Sequence, residues 1–456
     1  MSLVAIVIIS IITNYTGKLI IECLYEKPFN DQGTRGVRLR NSYALIGERV
    51  SSRCCFCSFA RLLVCSFVRL LVCSFARLLV CSFARLLVCS FARFPVSLSE
   101  YLPVCLLGLF PLFACLFDRT HPCFFTSSIS GEACWKKYGS AVVCAAQVMQ
   151  LACACVLYLL LVADFFNDLF EHHSLSYSLW TIIAGVLLLP SVFLNQFKRI
   201  SWLSMFSVVA LVMVFVSVIG YGVTKRYEWD FNLGVTTLEG FPVAWGIILF
   251  SFVCHPYLPG IEESMEKPEE FNSIMNYSFL ASALTKLAYG FIAVLTFKDN
   301  TQQEISENLP AGALQNTANA LLGLNGMFSY ALPLFTLVTI VHKAQFPFLP
   351  PCIPDEKQPL TIKERAMIYS LRATFVVFTV MVAVLLPQFS LLMAVIGSIS
   401  GVLLTLVFPC LFDVILHLDH ISTRRYVINL LIVCVGVLSG GFGLVFSLIA
   451  IMKLYV

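Results

Sequence analysis

The sequence predicts an all-α, multi-pass membrane protein. Of its 456 residues, 59% are hydrophobic and only 12% are charged, and the mean hydropathy is +0.87. A water-soluble domain carries about 25% charged residues, so most of this protein's surface must face lipid. Apolar stretches of about 20 residues, enough to cross a bilayer as a helix, recur along the chain. This composition excludes a cytosolic enzyme, a nucleic-acid-binding protein and a disordered regulator.

Ten apolar segments are predicted to be transmembrane helices. They are apolar on every face, whereas the strands of a membrane barrel would alternate polar and apolar residues. A helix also satisfies its own backbone hydrogen bonds, which lipid cannot do. The predicted spans are residues 2–22, 139–165, 177–197, 202–223, 242–260, 276–297, 320–343, 366–386, 389–415 and 427–452.

The loop charges predict how the helices are oriented. Lys and Arg collect in cytosolic loops, and here they alternate with acidic or neutral loops. Lys225 and Arg226, in a loop predicted to be non-cytosolic, run against this alternation. The rule places both chain ends outside the cytosol. The basic loops contain Lys18, Lys27, Arg35, Arg38, Arg40, Lys198, Arg199, Arg424 and Arg425, and the acidic loops contain Asp164, Asp168, Glu171, Glu304 and Glu307.

Residues 49–130 do not fit this pattern. They contain an octapeptide repeat, CSFARLLV, whose arginines would spiral around every face of a helix. One Cys in eight residues provides no paired metal ligands. The segment also holds ten of the 19 cysteines, and eight arginines against two acidic residues. We interpret it as an insert of translated repetitive DNA. The insert separates residues 1–48, which form a span with its cytosolic loop, from residues 131–456, which form a nine-span bundle.

Several segments outside the insert resemble the amino acid/auxin permease family and, within it, the vesicular transporters of inhibitory amino acids. The resemblance is best in LRATFVVFTVMVAVLLPQFSLLMAVIGSISG, at 371–401. SFVCHP at 251–256 is similar to members that carry neutral amino acids. The other matching segments are YTGKLIIECLYE at 15–26, GVRLRNSYALIGE at 36–48, CVLY at 155–158, FPVAWGIILFSF at 241–252, LPGIEESMEKPEEF at 258–271, NLP at 308–310 and FSYALPLF at 328–335.

The resemblance implies a leucine-transporter-like bundle. The family has eleven spans, with a five-plus-five inverted repeat and a substrate held between the broken first and sixth helices. Ten predicted spans therefore imply that the family's first helix is missing here. The implied partners are an amino acid substrate, protons, the lipid bilayer and a vesicular proton pump. No nucleic acid, cofactor or metal is expected.

Residues 246–262 are predicted to form a discontinuous helix. Pro256 and Pro259 each remove a backbone donor, and Gly260 permits unusual backbone angles. Broken helices at membrane depth line cavities, where freed backbone groups can hold a zwitterion. A plain proline kink is the alternative. With the resemblance, we expect a substrate site, whose nearest residues are Ser251, Phe252, Cys254 and Gly260.

Three titratable residues are candidates for proton coupling. Glu262 follows the break and resembles an acidic residue of the family, although it can equally open the cytosolic loop. His255 can exchange protons, although a packed, hydrogen-bonded histidine is the plainer interpretation. Lys286 lies mid-span, where charges usually face the bundle interior. Tyr158, Ser329 and Tyr330 are cavity-lining candidates from the resemblance alone.

These features predict a secondary active transporter of small neutral amino acids such as GABA or glycine, coupled to protons by alternating access in a vesicular membrane. A plasma-membrane or lysosomal symporter of the same family is one alternative. A truncated, non-transporting product is another. An enzyme is not expected, because no paired catalytic residues, nucleotide motif or Ser-His-Asp order is present.

Overall fold

The computed structural model describes most of the chain outside the predicted insert. The predicted insert at 49–130, and the cytosolic loop expected before it, lie outside the described residues. What is described comprises residues 2–25, 131–170, 175–193, 197–229, 240–302, 304–343, 362–418 and 420–455.

Besides five short 3₁₀ helices, the described residues form twelve longer helices, which we number in chain order. They are α1 (Ser2–Glu22), α2 (Gly131–Leu169), α3 (Tyr177–Leu188), α4 (Phe197–Thr224), α5 (Gly240–Ser251), α6 (Leu258–Ser264), α7 (Phe271–Phe297), α8 (Ala313–Ser329), α9 (Ala331–Lys343), α10 (Ile362–Leu385), α11 (Phe389–Leu416) and α12 (Thr423–Tyr455). Within α11, residues Gly397–Gly401 and Leu403–Val407 are π-helical.

The helices confirm the prediction of an all-α, multi-pass membrane protein. Within the described part of the chain, eight helical segments are long and apolar enough to cross a bilayer. Two shorter apolar segments, Tyr177–Phe193 and Gly240–Ser251, overlap the predicted spans 177–197 and 242–260, and the second of these spans is interrupted after Ser251. The predicted span 320–343 begins earlier, at Ala313, and divides into α8 and α9 around Tyr330.

The bundle has a central helix and lipid-facing outer helices. α11 buries most of its side chains, whereas α4, α7 and α12 bury few. The outer helices expose large apolar residues such as Phe206 on α4, Leu280 on α7 and Leu438 on α12. An apolar surface of this extent on a span is the surface that contacts lipid.

Two glycines bring α5 against the central helix. A Cβ on Gly397 would lie 1.9 Å from the Gly246 carbonyl oxygen, and a Cβ on Gly246 would lie 2.6 Å from the Ala394 carbonyl oxygen. Both contacts are with backbone, which cannot rotate away as a side chain would. Small residues allow spans to pack this closely. The contact fixes the segment that leads into the helix break.

We predict that Gly397→Ala destabilises the bundle by about 1–3 kcal/mol or more, because overpacking forces backbone shifts. The measurement is the midpoint of thermal unfolding of the protein in detergent micelles. Gly220→Ala on α4 is the matched control, because a Cβ there meets no atom within 4 Å. A Gly397→Ala protein as stable as the control would contradict the tight contact.

Candidate substrate-binding site

The predicted break in the helix is present. α5 ends at Ser251 and α6 begins at Leu258. Between them the backbone makes tight-turn hydrogen bonds, from Val253 N–H to Phe250 O at 3.1 Å and from Tyr257 N–H to Cys254 O at 2.9 Å. Pro256 cannot donate, which explains why the helical ladder stops here.

Lys286 on α7 binds the end of α5. Its Nζ donates to the Ser251 carbonyl oxygen at 2.7 Å and to Ser251 Oγ at 3.0 Å. The same Nζ lies 3.6 Å from the centroid of the Phe252 ring, a cation–π distance. The negative end of a helix dipole favours a cation at this place. All three of these partners are neutral.

Four of the predicted site residues therefore come together. Phe252 is 4% exposed and stacks on Phe279 of α7, with 6.1 Å between ring centroids. Cys254 is partly buried and lies close enough to Lys286 for the lysine charge to act on its thiol. Together with Ser251, these residues surround the carboxyl end of α5. The ammonium of Lys286 joins α7 to the break.

α1 covers the other side of the break. His255 is fully buried, and its Nε2 lies 3.1 Å from Thr16 Oγ1, while no partner is described for its Nδ1. Glu262 is 1% exposed and accepts a hydrogen bond from the Tyr25 hydroxyl. His255 thus contacts α1, and Glu262 contacts Tyr25, which follows α1.

Of the remaining predicted site residues, one lies near the break and others have no described contact with it. Tyr158 on α2 hydrogen-bonds Ser329 on α8, and Tyr257 in the break lies within electrostatic range of Tyr158. Tyr330 is fully buried, and its hydroxyl lies 2.9 Å from Thr379 Oγ1 of α10. Gly260 is exposed, and a Cβ there would meet no atom within 4 Å. Tyr330 and Gly260 therefore have no described contact with the group around Lys286.

An ion network ties helix ends together at the end of the bundle predicted to face the cytosol. Arg425 of α12 donates to Asp413 of α11, Nε to Oδ2, at 2.7 Å. It also donates to Glu22 of α1, Nη2 to Oε2, at 2.7 Å. Asn429 donates to the same Asp413 oxygen at 2.7 Å, and His417 Nδ1 lies 3.0 Å from Oδ1. The network joins α1, α11 and α12.

Three of these neighbouring side chains have metal-ligand chemistry. Cys23, Asp413 and His417 place their donor atoms within 4.8 Å of one another, the one such group among the described residues. Asp413, however, already binds the Arg425 guanidinium through both oxygens. A cation placed there would compete with a fixed positive charge, so the geometry favours an ion pair over a metal site.

Sequence reasoning did not assign roles to Thr16, Tyr25 or Asp413. Thr16 and Tyr25 lie in a segment that carries the family resemblance, but nothing local shows that they face the break. Asp413 had a visible signal, since it is a carboxylate inside an apolar span.

Comparison with known proteins identifies the family. Residues 104–449 match the family described as transmembrane amino acid transporter protein. The chain belongs to this family. Members of this family are transporters and not enzymes, which agrees with the prediction that the chain is not an enzyme. The matched region starts inside the segment predicted to be an insert, and the boundary at residue 130 stays a prediction.

Similar individual proteins are named as vesicular transporters. The chain is 30% identical over 326 residues to the vesicular inhibitory amino acid transporter of Xenopus laevis, covering 70% of this chain and 62% of that protein. It is 29% identical over 338 residues to the one of Homo sapiens, covering 72% and 63%. It is 31% identical over 281 residues to the vesicular GABA transporter of Caenorhabditis elegans, covering 59% and 56%. The matches thus span less than two thirds of each relative.

We predict that Asp413→Asn lowers the free energy of unfolding by about 3–5 kcal/mol, because it leaves Arg425 partly buried without its main counter-charge. The measurement is an unfolding titration in mixed micelles. The matched control is Glu228→Gln, which breaks the exposed Lys225–Glu228 pair, whose side chains are 40% and 69% exposed. The control should cost less than about 1 kcal/mol. Equal effects of the two substitutions would contradict a structural role for the network.

Proposed function

We propose that the chain is a secondary active transporter of small neutral amino acids such as GABA or glycine, working by alternating access and coupled to protons. The observation that carries the proposal is the contact of Lys286 with the end of α5. It places a cation with neutral partners at a helix break, in a chain of the amino acid transporter family. A broken helix at membrane depth is typical of transporter binding sites.

The geometry suits a zwitterionic substrate. Lys286 is partly exposed, and its described partners are neutral, so a substrate carboxylate would supply a counter-charge. A helix break leaves some backbone carbonyl groups without their helical donors, and such groups are acceptors for a substrate ammonium. Ser251 and Cys254 line this end of the break. Tyr158 lies near this region, because it is close enough to Tyr257 of the break for the two groups to interact electrostatically.

Lys286 is also the best-placed candidate for proton coupling. Its positive charge holds the Ser251 carbonyl oxygen at 2.7 Å. Loss of the proton would weaken that hydrogen bond, because it removes the charge from the donor, so protonation and the state of the site are linked. His255 and Glu262 bind α1 on the other side of the same segment and are the second candidates. A change in the protonation of either would alter the contact between α1 and the break.

A vesicular membrane is the proposed location, because the relatives are named as vesicular transporters. In a vesicle acidified by a proton pump, substrate uptake would run as exchange, with protons leaving as the amino acid enters. A same-family symporter of the plasma membrane or lysosome would use the same site. The residence of a tagged full-length protein in cells separates these locations.

Uptake by proteoliposomes tests the proposal directly. The full chain is reconstituted, a pH gradient with an acidic interior is imposed, and accumulation of labelled glycine and GABA is followed. We expect accumulation that collapses when a protonophore dissipates the gradient. Protein-free liposomes are the baseline. A correctly inserted protein without gradient-dependent flux would contradict the proposal and favour a non-transporting product.

We predict that Lys286→Met reduces uptake by about ten- to a hundredfold, since a hydrogen bond to a charged group contributes about 1.5–3 kcal/mol. Lys267→Met is the matched control. The Lys267 side chain is 66% exposed, and its described ion-pair partner is Glu270, with 3.5 Å between Nζ and Oε1. This ion pair does not involve the break. The control should retain uptake. Wild-type uptake by a stable Lys286→Met protein would remove Lys286 from the site.

A further inference from the structure

Acidic side chains gather at the opposite end of the bundle from the Arg425 network. The carboxyl end of α2 contributes Asp164 and Asp168, and the start of α3 contributes Tyr177. The short segment Glu304–Asn308, between α7 and α8, lies against them. The loop charges predict that this end faces away from the cytosol. The substrate site makes no direct use of this group.

Two of these carboxyl groups are hydrogen-bonded to each other. Asp164 and Glu304 form a side-chain hydrogen bond, and Tyr177 donates to Asp164 Oδ1 at 2.7 Å. Two carboxyl groups can form such a bond only when one of them holds a proton, because a carboxylate is an acceptor alone. Glu304 Oε1 is buried and has no described partner. A proton on one of the two carboxyl groups supplies the donor that this bond needs.

A buried amide bound to the neighbouring Asp168 also has an acceptor without a described donor. Asn319 of α8 is 7% exposed, and its Nδ2 donates to Asp168 Oδ2 at 2.7 Å. Its Oδ1, on the same carboxamide, has no described partner. An orphaned buried acceptor costs about 1–3 kcal/mol, and a protonated carboxyl group is the kind of donor that would satisfy it. Glu304 Oε1 and Asn319 Oδ1 are therefore two buried acceptors without a described donor at this end of the bundle.

The surroundings favour a proton over a metal ion. Among the described residues, these acidic groups do not bring three donor atoms within metal-binding distance of one another. No lysine, arginine or histidine of the described chain pairs with Asp164 or Glu304. The titratable groups that face the pair from the neighbouring elements are Asp168 of α2, Tyr177 of α3, Tyr221 of α4, Tyr289 of α7 and Glu307 of the same short segment.

A small apolar cluster keeps the acidic segment in place. Val214 and Val218 of α4 pack with Leu309 and Ala318, and Ile305 lies against them. Burial, followed by the nearby Asp164 carboxyl, raises the pKa of Glu304 to about 8. Burial and Asp168 raise the pKa of Glu307 as well. Glu304 is thereby protonated throughout the acidic range.

We propose that Asp164 and Glu304 form a proton-binding site whose occupancy holds the non-cytosolic end of the bundle closed. The link to a transport cycle rests on the proposed function, whereas the proton site itself does not. With the proton bound, the pair ties α2 to the segment before α8. Without it, two like charges repel in a poorly solvated place, which favours separation of the two elements. The pH of the compartment would thus act on opening at this end.

Infrared titration of the full-length protein in lipid nanodiscs tests the site. We expect a carbonyl band of a protonated carboxylic acid that disappears with a midpoint near pH 8, the pKa of Glu304. Glu304→Gln removes this band. Asp164→Asn keeps the band but lowers its midpoint by about one unit or more, because the like charge is gone. Glu228→Gln, an exposed acidic residue, leaves the titration unchanged.

A second readout follows from linkage. Below the ordinary glutamate pKa of 4.5, Glu304 is protonated in both the folded and unfolded states. Between 4.5 and about 8 only the folded state holds the proton, so stability falls as the pH rises through this window. We expect the thermal midpoint of Glu304→Gln to fall less across that window than that of the wild-type protein.

The outcomes separate this inference from the proposed function. A band unchanged in both Glu304→Gln and Asp164→Asn overturns the proton site, even if the protein transports amino acids. A band that responds as described, in a protein without gradient-dependent uptake, supports the site and contradicts the transport proposal. If Glu304→Gln does not fold, the midpoint shift in Asp164→Asn decides the question. A midpoint that does not move then overturns the site.

Discussion

The architecture depends on one constraint: backbone groups at membrane depth must find partners within the protein. The segment between α5 and α6 breaks its helical ladder, and the Ser251 carbonyl oxygen receives the Lys286 ammonium. Neither feature is stable alone. An ammonium inside a membrane span without acceptors is costly, and so is a freed carbonyl without a donor. Each satisfies the other, and together they keep a polar site inside an apolar bundle.

The two ends of the bundle use opposite electrostatics. At the end predicted to be cytosolic, Arg425 joins Asp413 and Glu22, so opposite charges hold three helices together. At the other end, Asp164 and Glu304 join two elements without a described cation, and only a proton makes the contact favourable. The first contact needs no bound proton, whereas the second loses its proton as the pH rises toward about 8, the pKa of Glu304. Such asymmetry suits a protein that separates two compartments of different pH.

Much of the fold was predictable because a membrane helix can be recognised from a run of apolar residues in the sequence. The apolar segments located the eight long spans of the described chain and two shorter apolar helices. Pro256 with Pro259 located the break, since proline acts locally on hydrogen bonding. Lys286 was identified as unusual because charges inside spans are costly. Its partner was not predictable. A span that is apolar on every face does not show which side a lone lysine turns toward, and Ser251 lies 35 residues away in sequence.

Other contacts between residues distant in sequence could not be predicted either. Arg425 served to predict orientation, but its contact with Glu22 spans 403 residues and arises only from helix packing. Tyr330 was chosen by resemblance, yet its hydroxyl bonds Thr379. Asp164 and Glu304 looked like ordinary loop acids, because sequence does not reveal that two acidic loops meet. Local chemistry was visible in the sequence, and tertiary juxtaposition was not.

The central claim is that the break between α5 and α6, with Lys286, holds the substrate. The most direct measurement is a cryo-electron microscopy structure of the full-length protein in lipid nanodiscs with saturating glycine or GABA, compared with a substrate-free sample. The account predicts ligand density beside residues 251–257, with its carboxylate on Lys286. Density at another place, with Lys286 still bound to Ser251, would contradict it.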